Sequence, residues 1–595
     1  MGGSTMSRDE LEARAREYVE HEQDERFRGE VEQLLEQGGG DELAERFYTD
    51  LEFGTGGLRG IIGGGFNRMN PLVVGRATEG LARYVEAHGD RASDGGLRAV
   101  IAHDSRRFSD TFALQVALVF AAHGIKAYLF PSLRPTPELS FAVRELDASV
   151  GVVVTASHNP PAYNGYKVYW SDGAQIVAPH DKAIIEEVRS VSGAPKRMDR
   201  ERALEQGLLE YLDESMDDAF VAMVKRQSVR PKLLAERGTT LNVVYTPLHG
   251  TGAMMVERVL GELGVNVVTV PEQREPDGEF PTVEFPNPEE AAALELALEL
   301  GRREQADIVM GTDPDSDRLG IAVPGPDDYE LLTGNQLGVL LVDYIFGTRQ
   351  EQGTLPAKPV FVKTVVTTEM QRKVAEHYGA RVYDTLTGFK HIATIMRHLD
   401  AHPDEGTYVM GDEESYGYLI GTEVRDKDAI TATVLTAEMA LHHVAEGKTV
   451  LDRLNELYDL FGYYEEIQIS RYFRGQSGHE TMAGLMRRLR SAPPESIADV
   501  PVVEIRDYQE RTTTDRRTGE VRNDIDLPVS NVLQFVLEDE TVVSARPSGT
   551  EPKIKFYASV SSEPSTPLAE ARASVRAELG RIEAWVEEQI AAAGG

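Results

Sequence analysis

Residues 241–270 read LNVVYTPLHGTGAMMVERVLGELGVNVVTV. Two valine-rich apolar runs, Leu241–Tyr245 and Val265–Val270, flank Ala253–Leu263, where apolar residues recur at helical spacing. A strand, a helix and a second strand in this order are typical of a βαβ unit with parallel strands. This stretch therefore predicts an α/β domain, and the run Asp307–Met310 predicts a further strand of it.

The same alternation occurs twice more in the chain. The earlier copy comprises the segments Arg98–Ala102, Phe112–His123, Lys126–Phe130 and Ser149–Thr155, and the later copy comprises Pro359–Lys363, Glu369–Tyr378, Arg381–Tyr383 and Thr407–Met410. The last block differs, because strand-like runs at Glu465–Phe473, Val502–Tyr508, Asn531–Leu537 and Val542–Arg546 accompany helical runs at Thr481–Leu489 and Leu568–Ala592. We expect three similar α/β domains and a C-terminal α+β domain.

The chain begins with a charged segment, Ser7–Gln37, whose apolar residues follow loosely helical spacing up to Gly38–Gly40. This segment predicts an N-terminal helical arm with one packed stripe. The expected domain boundaries are 1–50 for the arm, 51–218, 219–331 and 332–464 for the α/β domains, and 465–595 for the last domain.

The composition excludes several classes of protein. The 98 acidic and 62 basic residues give a formal net charge of −36, which argues against binding to nucleic acid or anionic membranes and suggests a salt-adapted, halophilic source. The absence of cysteine excludes disulfides and thiolate metal sites. No signal peptide and no apolar run of membrane-spanning length are visible, so we expect a cytoplasmic protein.

The segment Thr155-Ala-Ser-His-Asn-Pro160 follows an apolar strand. A serine at a strand end, held by a proline-containing loop, can serve as a nucleophile or phosphate carrier, and Ser157 is the candidate. The alternative is an ordinary turn serine. The G-x-S-x-G motif of α/β hydrolases is absent.

The segment Gly311-Thr-Asp-Pro-Asp-Ser-Asp-Arg318 places carboxylates at three alternate positions. Such carboxylates can converge on one hard divalent cation, and without a cation they would repel one another. An EF-hand is excluded, because Arg318 and Pro324 stand where that loop needs glycine and glutamate. A metal site is favoured over an acidic surface turn.

The segment Arg546-Pro-Ser-Gly-Thr-Glu-Pro552 offers a guanidinium group, hydroxyl groups and a glycine after a predicted strand. These are the groups that bind a phosphate dianion. The alternative is a β-turn with Ser-Gly at its tip.

Together these segments resemble one family, the α-D-phosphohexomutases, in particular its phosphoglucomutase/phosphomannomutase branch. The resemblance runs from about Leu51 to Tyr557 through nine segments in the family's order: Gly54–Gly60, Asp104–Ser109, Thr155–Lys167, Thr246–Gly252, Gly311–Gly320, Thr387–Lys390, Gly411–Gly417, Arg425–Asp428 and Arg546–Tyr557. It implies mixed sheets and four domains around a central cleft.

The resemblance also implies residue roles. Ser157 would carry a phosphoryl group and, with Asp313, Asp315 and Asp317, bind Mg²⁺. Lys167 would be the general acid/base, with a pKa lowered by Arg59 and Mg²⁺. Three further sets are implied: Arg59 and His158 beside the phosphoryl group, Thr387, Gly388, Glu413 and Ser415 at the sugar, and Arg318, Lys427, Arg546, Ser548, Gly549 and Thr550 at phosphate. His391 and Asp412 depart from common family residues beside the sugar loops.

The implied activity is a phosphohexomutase that interconverts α-D-glucose 1-phosphate and glucose 6-phosphate through a phosphoserine and a bisphosphorylated sugar. Glucose 1,6-bisphosphate would be its activator, and the protein would be a monomer or a homodimer. The alternatives are phosphomannomutase or phosphopentomutase activity, glucose 1,6-bisphosphate synthesis, a metal-dependent phosphatase, and a non-catalytic sugar-phosphate binding protein.

Overall fold

The structure is a computed structural model, and it describes residues 6–54, 56–473, 476–547 and 553–594. The chain forms two compact units. The first comprises Met1–Leu337, Ala393–Asp404 and Tyr408–Gly447, and the second comprises Gly338–Ile392, Glu405–Thr407 and Lys448–Gly595. Within the described ranges, no helix has the length and apolar character that a membrane crossing needs.

The predicted N-terminal arm consists of three helices, α1 (Arg8–His21), α2 (Glu25–Glu36) and α3 (Gly40–Phe47). Ser7 and Glu10 form a capping box at the start of α1, and Asp24 caps α2. The arm packs through buried aromatic rings, since Tyr18 lies edge-to-face against Phe47 and Phe66. The packed stripe was thus foreseen, but the break between α1 and α2 was not.

The first sheet has six strands. Its region contains the elements β1 (Gly57–Ile61), α4 (Pro71–His88), β2 (Arg98–His103), α5 (Ser109–Ala122), β3 (Lys126–Leu129), α6 (Thr136–Glu145), β4 (Val150–Val154), β5 (Tyr163–Trp170), α7 (His180–Ser190), α8 (Arg200–Glu205) and β6 (Leu209–Tyr211). The strand order is β1-β5-β4-β2-β3-β6. Strands β4, β2, β3 and β6 are parallel to one another. Strand β5 is antiparallel to both of its neighbours, β4 and the edge strand β1.

The second sheet has five strands in the order β11-β10-β9-β7-β8. Its region contains α9 (Glu214–Arg226), α10 (Pro231–Arg237), β7 (Asn242–Thr246), α11 (Gly252–Glu262), β8 (Asn266–Thr269), α12 (Pro271–Arg274), α13 (Glu295–Glu304), β9 (Ile308–Thr312), β10 (Leu319–Pro324) and β11 (Tyr329–Leu332). Strand β7 is parallel to β8 and β9, which confirms the predicted βαβ unit. Strands β9, β10 and β11 are antiparallel neighbours.

The third α/β region contains α14 (Gly334–Glu351), β12 (Pro359–Thr364), α15 (Glu369–His377), β13 (Arg381–Thr385), α16 (Phe389–Ala401), β14 (Thr407–Glu413), β15 (Gly417–Ile420), α17 (Ala429–Ala445) and α18 (Val450–Phe461). In the second unit, β12 and β13 pair in parallel. In the first unit, β14 and β15 form an antiparallel hairpin that joins Met410 to Ile420 and Glu413 to Gly417.

The C-terminal region combines an antiparallel sheet with two helices. Its elements are β16 (Tyr464–Tyr472), α19 (Gln476–Ser491), β17 (Ser496–Ile497), β18 (Val500–Asp507), β19 (Thr512–Asp515), β20 (Val521–Arg522), β21 (Leu533–Leu537), β22 (Val542–Pro547), β23 (Lys553–Ser561) and α20 (Leu568–Gly594). The sheet order is β16-β23-β22-β21-β18-β19-β20, with β17 beside β18. The predicted fold class, α/β regions with mixed sheets followed by an α+β region, is confirmed.

Candidate active site

Ser157 lies in the loop that connects β4 to β5, three residues after the end of a fully buried strand. Its backbone has a φ of 52°, which is uncommon for a residue with a side chain. The Ser157 amide donates to Thr155 Oγ1 at 2.8 Å, and the Ser157 hydroxyl donates to Asp313 Oδ2 at 2.6 Å. Such strained backbone commonly marks a functional loop, and here it directs the hydroxyl at a carboxylate.

The three aspartates lie on the loop between β9 and β10 and are all buried. A backbone turn holds the loop, since Asp313 Oδ1 accepts the amides of Asp317 and Arg318, both at 3.0 Å. Oxygens of the three carboxylates lie within 4.8 Å of one another. Burial, together with repulsion from Asp315 and Asp317, raises the pKa of Asp313 well above its ordinary value.

Two oxygens of this cluster are open to a ligand. Asp315 Oδ1 and Asp317 Oδ1 are buried and accept no hydrogen bond from any described residue. A buried carboxylate oxygen without a donor is costly unless a cation binds it. The donor set, carboxylate oxygens with the Ser157 hydroxyl beside them, fits the oxygen preference of Mg²⁺.

Two lysines neutralise part of this charge. Lys167, on β5, places its Nζ 2.7 Å from Asp315 Oδ2 and 3.1 Å from Asp317 Oδ2. Lys427 Nζ lies 3.3 Å from Asp317 Oδ2 and 3.2 Å from Asp426 Oδ1. Burial acts to raise the pKa of Asp317, but these two ammonium groups hold it below its ordinary value.

The lowered pKa that the sequence analysis expects for Lys167 depends on Arg59 and Mg²⁺, and it stays a prediction. Burial does act to lower the pKa of Lys167, but the carboxylates of Asp315 and Asp317 outweigh it and raise the pKa. The sequence analysis named Arg59 and Mg²⁺ as the charges near Lys167 and did not foresee that Lys167 contacts the aspartates directly. In this state Lys167 is an ammonium group.

Arg59 contacts the serine loop, and His158 is the residue of that loop that follows Ser157. Arg59, on β1, donates to Asn159 Oδ1 at 3.4 Å, and His158 Nδ1 lies 3.3 Å from Ser157 Oγ. Burial and the positive charges of Arg318 and Arg59 lower the pKa of His158 well below its ordinary value. His158 is therefore a neutral imidazole at physiological pH, and it contributes hydrogen bonding without charge.

Arg318 lies on the same loop between β9 and β10 as the three aspartates, here called the aspartate loop. Its guanidinium group donates to Glu289 and lies 3.9 Å from Asp317 Oδ1. Burial acts to lower the pKa of Arg318, but Glu289 and Asp317 raise it, so the side chain stays charged. The structure thus places this predicted phosphate ligand beside the aspartates.

The predicted sugar loop is the tip of the β14–β15 hairpin. Glu413 is buried and Ser415 is half-buried. A Cβ atom at Gly417 would lie 2.1 Å from Lys427 Cδ, so the lysine chain crosses the hairpin where only glycine leaves room. Glu413 also raises the pKa of Lys427, although Asp317 and Asp426 do so more strongly. The hairpin, Lys427 and the aspartate loop therefore form one site in the first unit.

The remaining predicted residues lie in the second unit or outside the described ranges. Thr387 and Gly388 are half-buried between β13 and α16, and Arg546 lies near the end of β22 opposite Lys555. Arg546 is close enough to act on the charge of His391, which follows the Thr387–Gly388 loop. Ser548, Gly549 and Thr550 lie outside the described residues.

His391 gives this loop a pH dependence. Burial, with the charges of Lys390 and Arg546, lowers the pKa of His391 to about 4. In the unfolded chain His391 would bind a proton near pH 6.5. Its contribution to the free energy of unfolding is therefore fully present above that pH, and it falls by up to about 3 kcal/mol as the pH drops toward 4. Urea unfolding of His391→Phe should show a smaller loss on acidification than the wild-type protein. The exposed His402→Phe variant is the control, and an unchanged acid loss in His391→Phe would contradict the assignment.

Sequence reasoning missed several residues that hold the site together. Thr136 donates its amide to the Asp315 carbonyl and its hydroxyl to Asp315 Oδ2, both at 2.9 Å. Tyr169 donates to Asp426 Oδ2 at 2.7 Å and so fixes the partner of Lys427. The flanking residues Pro135 and Pro137 were a signal for a helix that begins at Thr136, whereas nothing in the sequence indicated Tyr169.

Comparison with known proteins agrees with this geometry. Three family models match: phosphoglucomutase/phosphomannomutase α/β/α domain I at residues 50–194, domain II at 218–325 and domain III at 333–461. Curated phosphoglucomutases from Staphylococcus aureus (strain MRSA252) and Staphylococcus haemolyticus (strain JCSC1435) are each 36% identical. The first aligns over 536 residues, 89% of this chain and 93% of the relative, and the second over 525 residues, 86% and 91%.

A solved structure shows the same fold. The crystal structure of parafusin, an exocytosis-sensitive phosphoprotein and phosphoglucomutase from Paramecium, is 17% identical and superposes with a TM-score of 0.67, covering 90% of this chain and 95% of that one. The fold and the site are those of an α/β enzyme that acts on phosphorylated sugars. The chain belongs to the phosphoglucomutase/phosphomannomutase family.

Proposed function

We propose that this protein is a phosphoglucomutase, an isomerase that interconverts α-D-glucose 1-phosphate and glucose 6-phosphate. The reaction would proceed through phosphorylated Ser157 and a bisphosphorylated sugar, with glucose 1,6-bisphosphate as activator. The names of the curated relatives support the activity, and the geometry around Ser157 supports the route.

One observation carries the proposal. The Ser157 hydroxyl donates to Asp313 Oδ2, next to two buried carboxylate oxygens that accept no hydrogen bond from the described residues. A serine that only formed a turn would not need three buried aspartates beside it. The same arrangement suits a serine that carries a phosphoryl group next to a divalent cation.

Mg²⁺ is the cofactor we propose, held by Asp313, Asp315 and Asp317 with an oxygen at Ser157. When bound, it would offset the negative charge of the transferring phosphoryl group and make the Ser157 oxygen a better leaving group. The buried oxygens Asp315 Oδ1 and Asp317 Oδ1, which accept no hydrogen bond from the described residues, are the observation that fits this ion.

The protein's own residues account for the remaining needs. Lys167, charged in this state, can give a proton to the departing Ser157 oxygen. It can accept a proton from a sugar hydroxyl only after Asp315 and Asp317 are neutralised by another cation. Glu413 and Ser415, at the hairpin tip near Lys427, would bind sugar hydroxyls. The phosphoryl group thus passes from serine to sugar and back, and the reaction consumes no other donor.

A single panel of assays tests the function. Purified protein is given the 1-phosphates of glucose, mannose, glucosamine and ribose, each with Mg²⁺ and catalytic glucose 1,6-bisphosphate. Fastest conversion of glucose 1-phosphate supports the proposal, whereas preference for mannose or ribose 1-phosphate would assign one of the alternative activities. Stoichiometric consumption of another phosphoryl donor would indicate a bisphosphate synthase, and release of inorganic phosphate would indicate a phosphatase.

Arg546 provides a prediction for the phosphate that is not being transferred. We expect Arg546→Ala to lose a charge-assisted contact worth roughly 2–3 kcal/mol, or about 30- to 150-fold in kcat/KM. The loss should occur with both monophosphates, because each would present its non-transferring phosphate to the same group. Steady-state kinetics in both directions measure it, with the exposed Arg517→Ala on the same sheet as control.

Hydrolysis of an existing phosphoserine by water separates two roles of Arg546. No second phosphate takes part in that reaction, so Arg546→Ala should hardly change its rate. A hydrolysis rate that falls as far as mutase activity would show that Arg546 acts at the transferring centre or in folding.

The acidic excess supports a further proposal, adaptation to high salt. With a formal net charge of −36, self-repulsion destabilises the compact state at low ionic strength. The thermal unfolding midpoint should therefore rise when KCl is increased from about 0.1 M to about 2 M, a range over which the Debye length shrinks severalfold. A midpoint that is unchanged or falls would contradict it.

A further inference from the structure

Arg106 is buried beneath the loop that carries Ser157, and its guanidinium group contacts that loop at several points. Nη1 donates to the carbonyls of Pro160 at 2.9 Å and Tyr163 at 3.1 Å. Nη2 donates to the carbonyls of Ser157 and Asn159. One side chain thus collects four carbonyl groups from seven consecutive residues.

This contact pattern explains how the loop keeps its unusual shape. The backbone at Ser157 is in the left-handed region, and four carbonyls of the loop turn toward the Arg106 guanidinium group. A guanidinium group presents several N–H donors in one rigid plane, which a lysine cannot reproduce. We propose that Arg106 is the positioning residue for Ser157, and that its donor geometry, more than its charge, holds the serine oxygen toward Asp313. The proposal rests on the phosphoserine role of Ser157.

Arg106 is in turn held by two other parts of the first unit. Asp104 lies 3.4 Å from Arg106 Nε, and its Oδ1 accepts the Arg106 amide at 2.9 Å. The Phe280 ring lies against the guanidinium group, with its centroid 5.0 Å from Arg106 Cζ. Phe280 comes from the connection between β8 and β9, the same region that continues into the aspartate loop.

The β8–β9 connection fits closely against this arginine. A Cβ atom at Gly278 would lie 2.6 Å from the backbone nitrogen of Arg107, so only glycine allows the approach. Phe280 is itself buried and has a φ of 47°. The connection that leads through β9 to the aspartate loop therefore also supports the serine loop, which ties the position of Ser157 to that of Asp313.

The decisive variant is Arg106→Lys, which keeps the charge and loses the planar donor set. We expect kcat to fall about 100-fold, the cost of a displaced reacting group, while KM for the monophosphates changes little. Phe280→Leu should give a smaller fall in kcat, because it keeps the burial and removes only the ring face. Arg76→Lys is the matched control, since Arg76 also donates to a carbonyl, that of Gly193 at 2.8 Å, and lies over an aromatic ring, and it should leave activity unchanged.

Hydrogen exchange read by mass spectrometry tests the positioning role without any assay of turnover. In the wild-type loop, the amides of Asn159 and Tyr163 donate to the carbonyls of Ala156 and Pro160. Arg106→Lys should increase exchange in peptides that cover Ala156–Tyr163, while peptides from the second sheet and the global unfolding midpoint stay close to wild type.

The outcomes separate the two proposals. Unchanged exchange in Ala156–Tyr163, or a loss of activity that matches only the unfolded fraction of Arg106→Lys, would overturn the positioning role. A rise in KM with kcat unchanged would overturn it too. If exchange rises as expected but the wild-type protein has no mutase activity, the positioning role stands and the proposed function fails.

Discussion

Ser157→Ala is expected to fold normally and to lose mutase turnover by about 10⁴-fold or more, because no other group can carry the phosphoryl group between the two sugar positions. The lost hydroxyl makes hydrogen bonds with Asp313 and His158 and little packing, so the thermal unfolding midpoint should change little. A coupled assay of glucose 6-phosphate formation, with circular dichroism of the same preparation, measures both.

Ser171→Ala is the matched control for this variant. Ser171 directly follows β5 in the same sheet, and its hydroxyl also donates to an aspartate, Asp90. It should retain full activity. Turnover of Ser157→Ala within about tenfold of wild type, a difference of about 1.4 kcal/mol in activation free energy, would contradict the phosphoserine assignment.

The second large effect is expected from Asp315→Asn. Asp315 Oδ2 accepts from Lys167 and Thr136, and its Oδ1 is one of the two buried oxygens left for a cation. The substitution keeps the shape but removes the charge and turns one acceptor into a donor. We expect kcat to fall about 100- to 1,000-fold and the Mg²⁺ concentration for half-maximal activity to rise.

Isothermal titration calorimetry with Mg²⁺ provides a readout that does not depend on turnover. Wild-type protein should bind one ion at this site, and Asp315→Asn should bind it more weakly. The surface variant Asp328→Asn should behave like wild type, because Asp328 is exposed and pairs with Arg302. Wild-type activity that survives prolonged chelation, and equal Mg²⁺ binding by Asp315→Asn, would show that the aspartate loop has another role.

Much of this site could be predicted from the sequence, because its residues occur in short motifs of neighbouring residues. Ser157 and the three aspartates follow buried strands directly, and strand ends in α/β domains present such residues at one sheet edge. The alternate spacing of the aspartates was enough to predict that their carboxylates converge. The hairpin tip at Glu413–Ser415 was found only through the family resemblance.

The contacts that the sequence could not reveal join residues far apart in the chain. Lys167 and Asp315, and Thr136 and Asp315, meet because the first two sheets bring their loops together. Burial acts to lower the pKa of Lys167, but its contacts with Asp315 and Asp317 raise it, and reasoning from local neighbours did not include those contacts. Strand β1 was also missed, because its glycine-rich sequence resembles a loop and its pairing with β5 supplies the order.

The central claim is that Ser157 carries the phosphoryl group during turnover, and a phosphoenzyme chase tests it most directly. The protein is first labelled with glucose 1,6-bisphosphate that carries ³²P in its phosphate groups. It is then separated from free sugar phosphate and mixed rapidly with unlabelled glucose 1-phosphate. We predict that the label lies on the peptide containing Ser157 and passes into sugar bisphosphate at least as fast as kcat. Label on another residue, or label that leaves only as inorganic phosphate, would contradict the account.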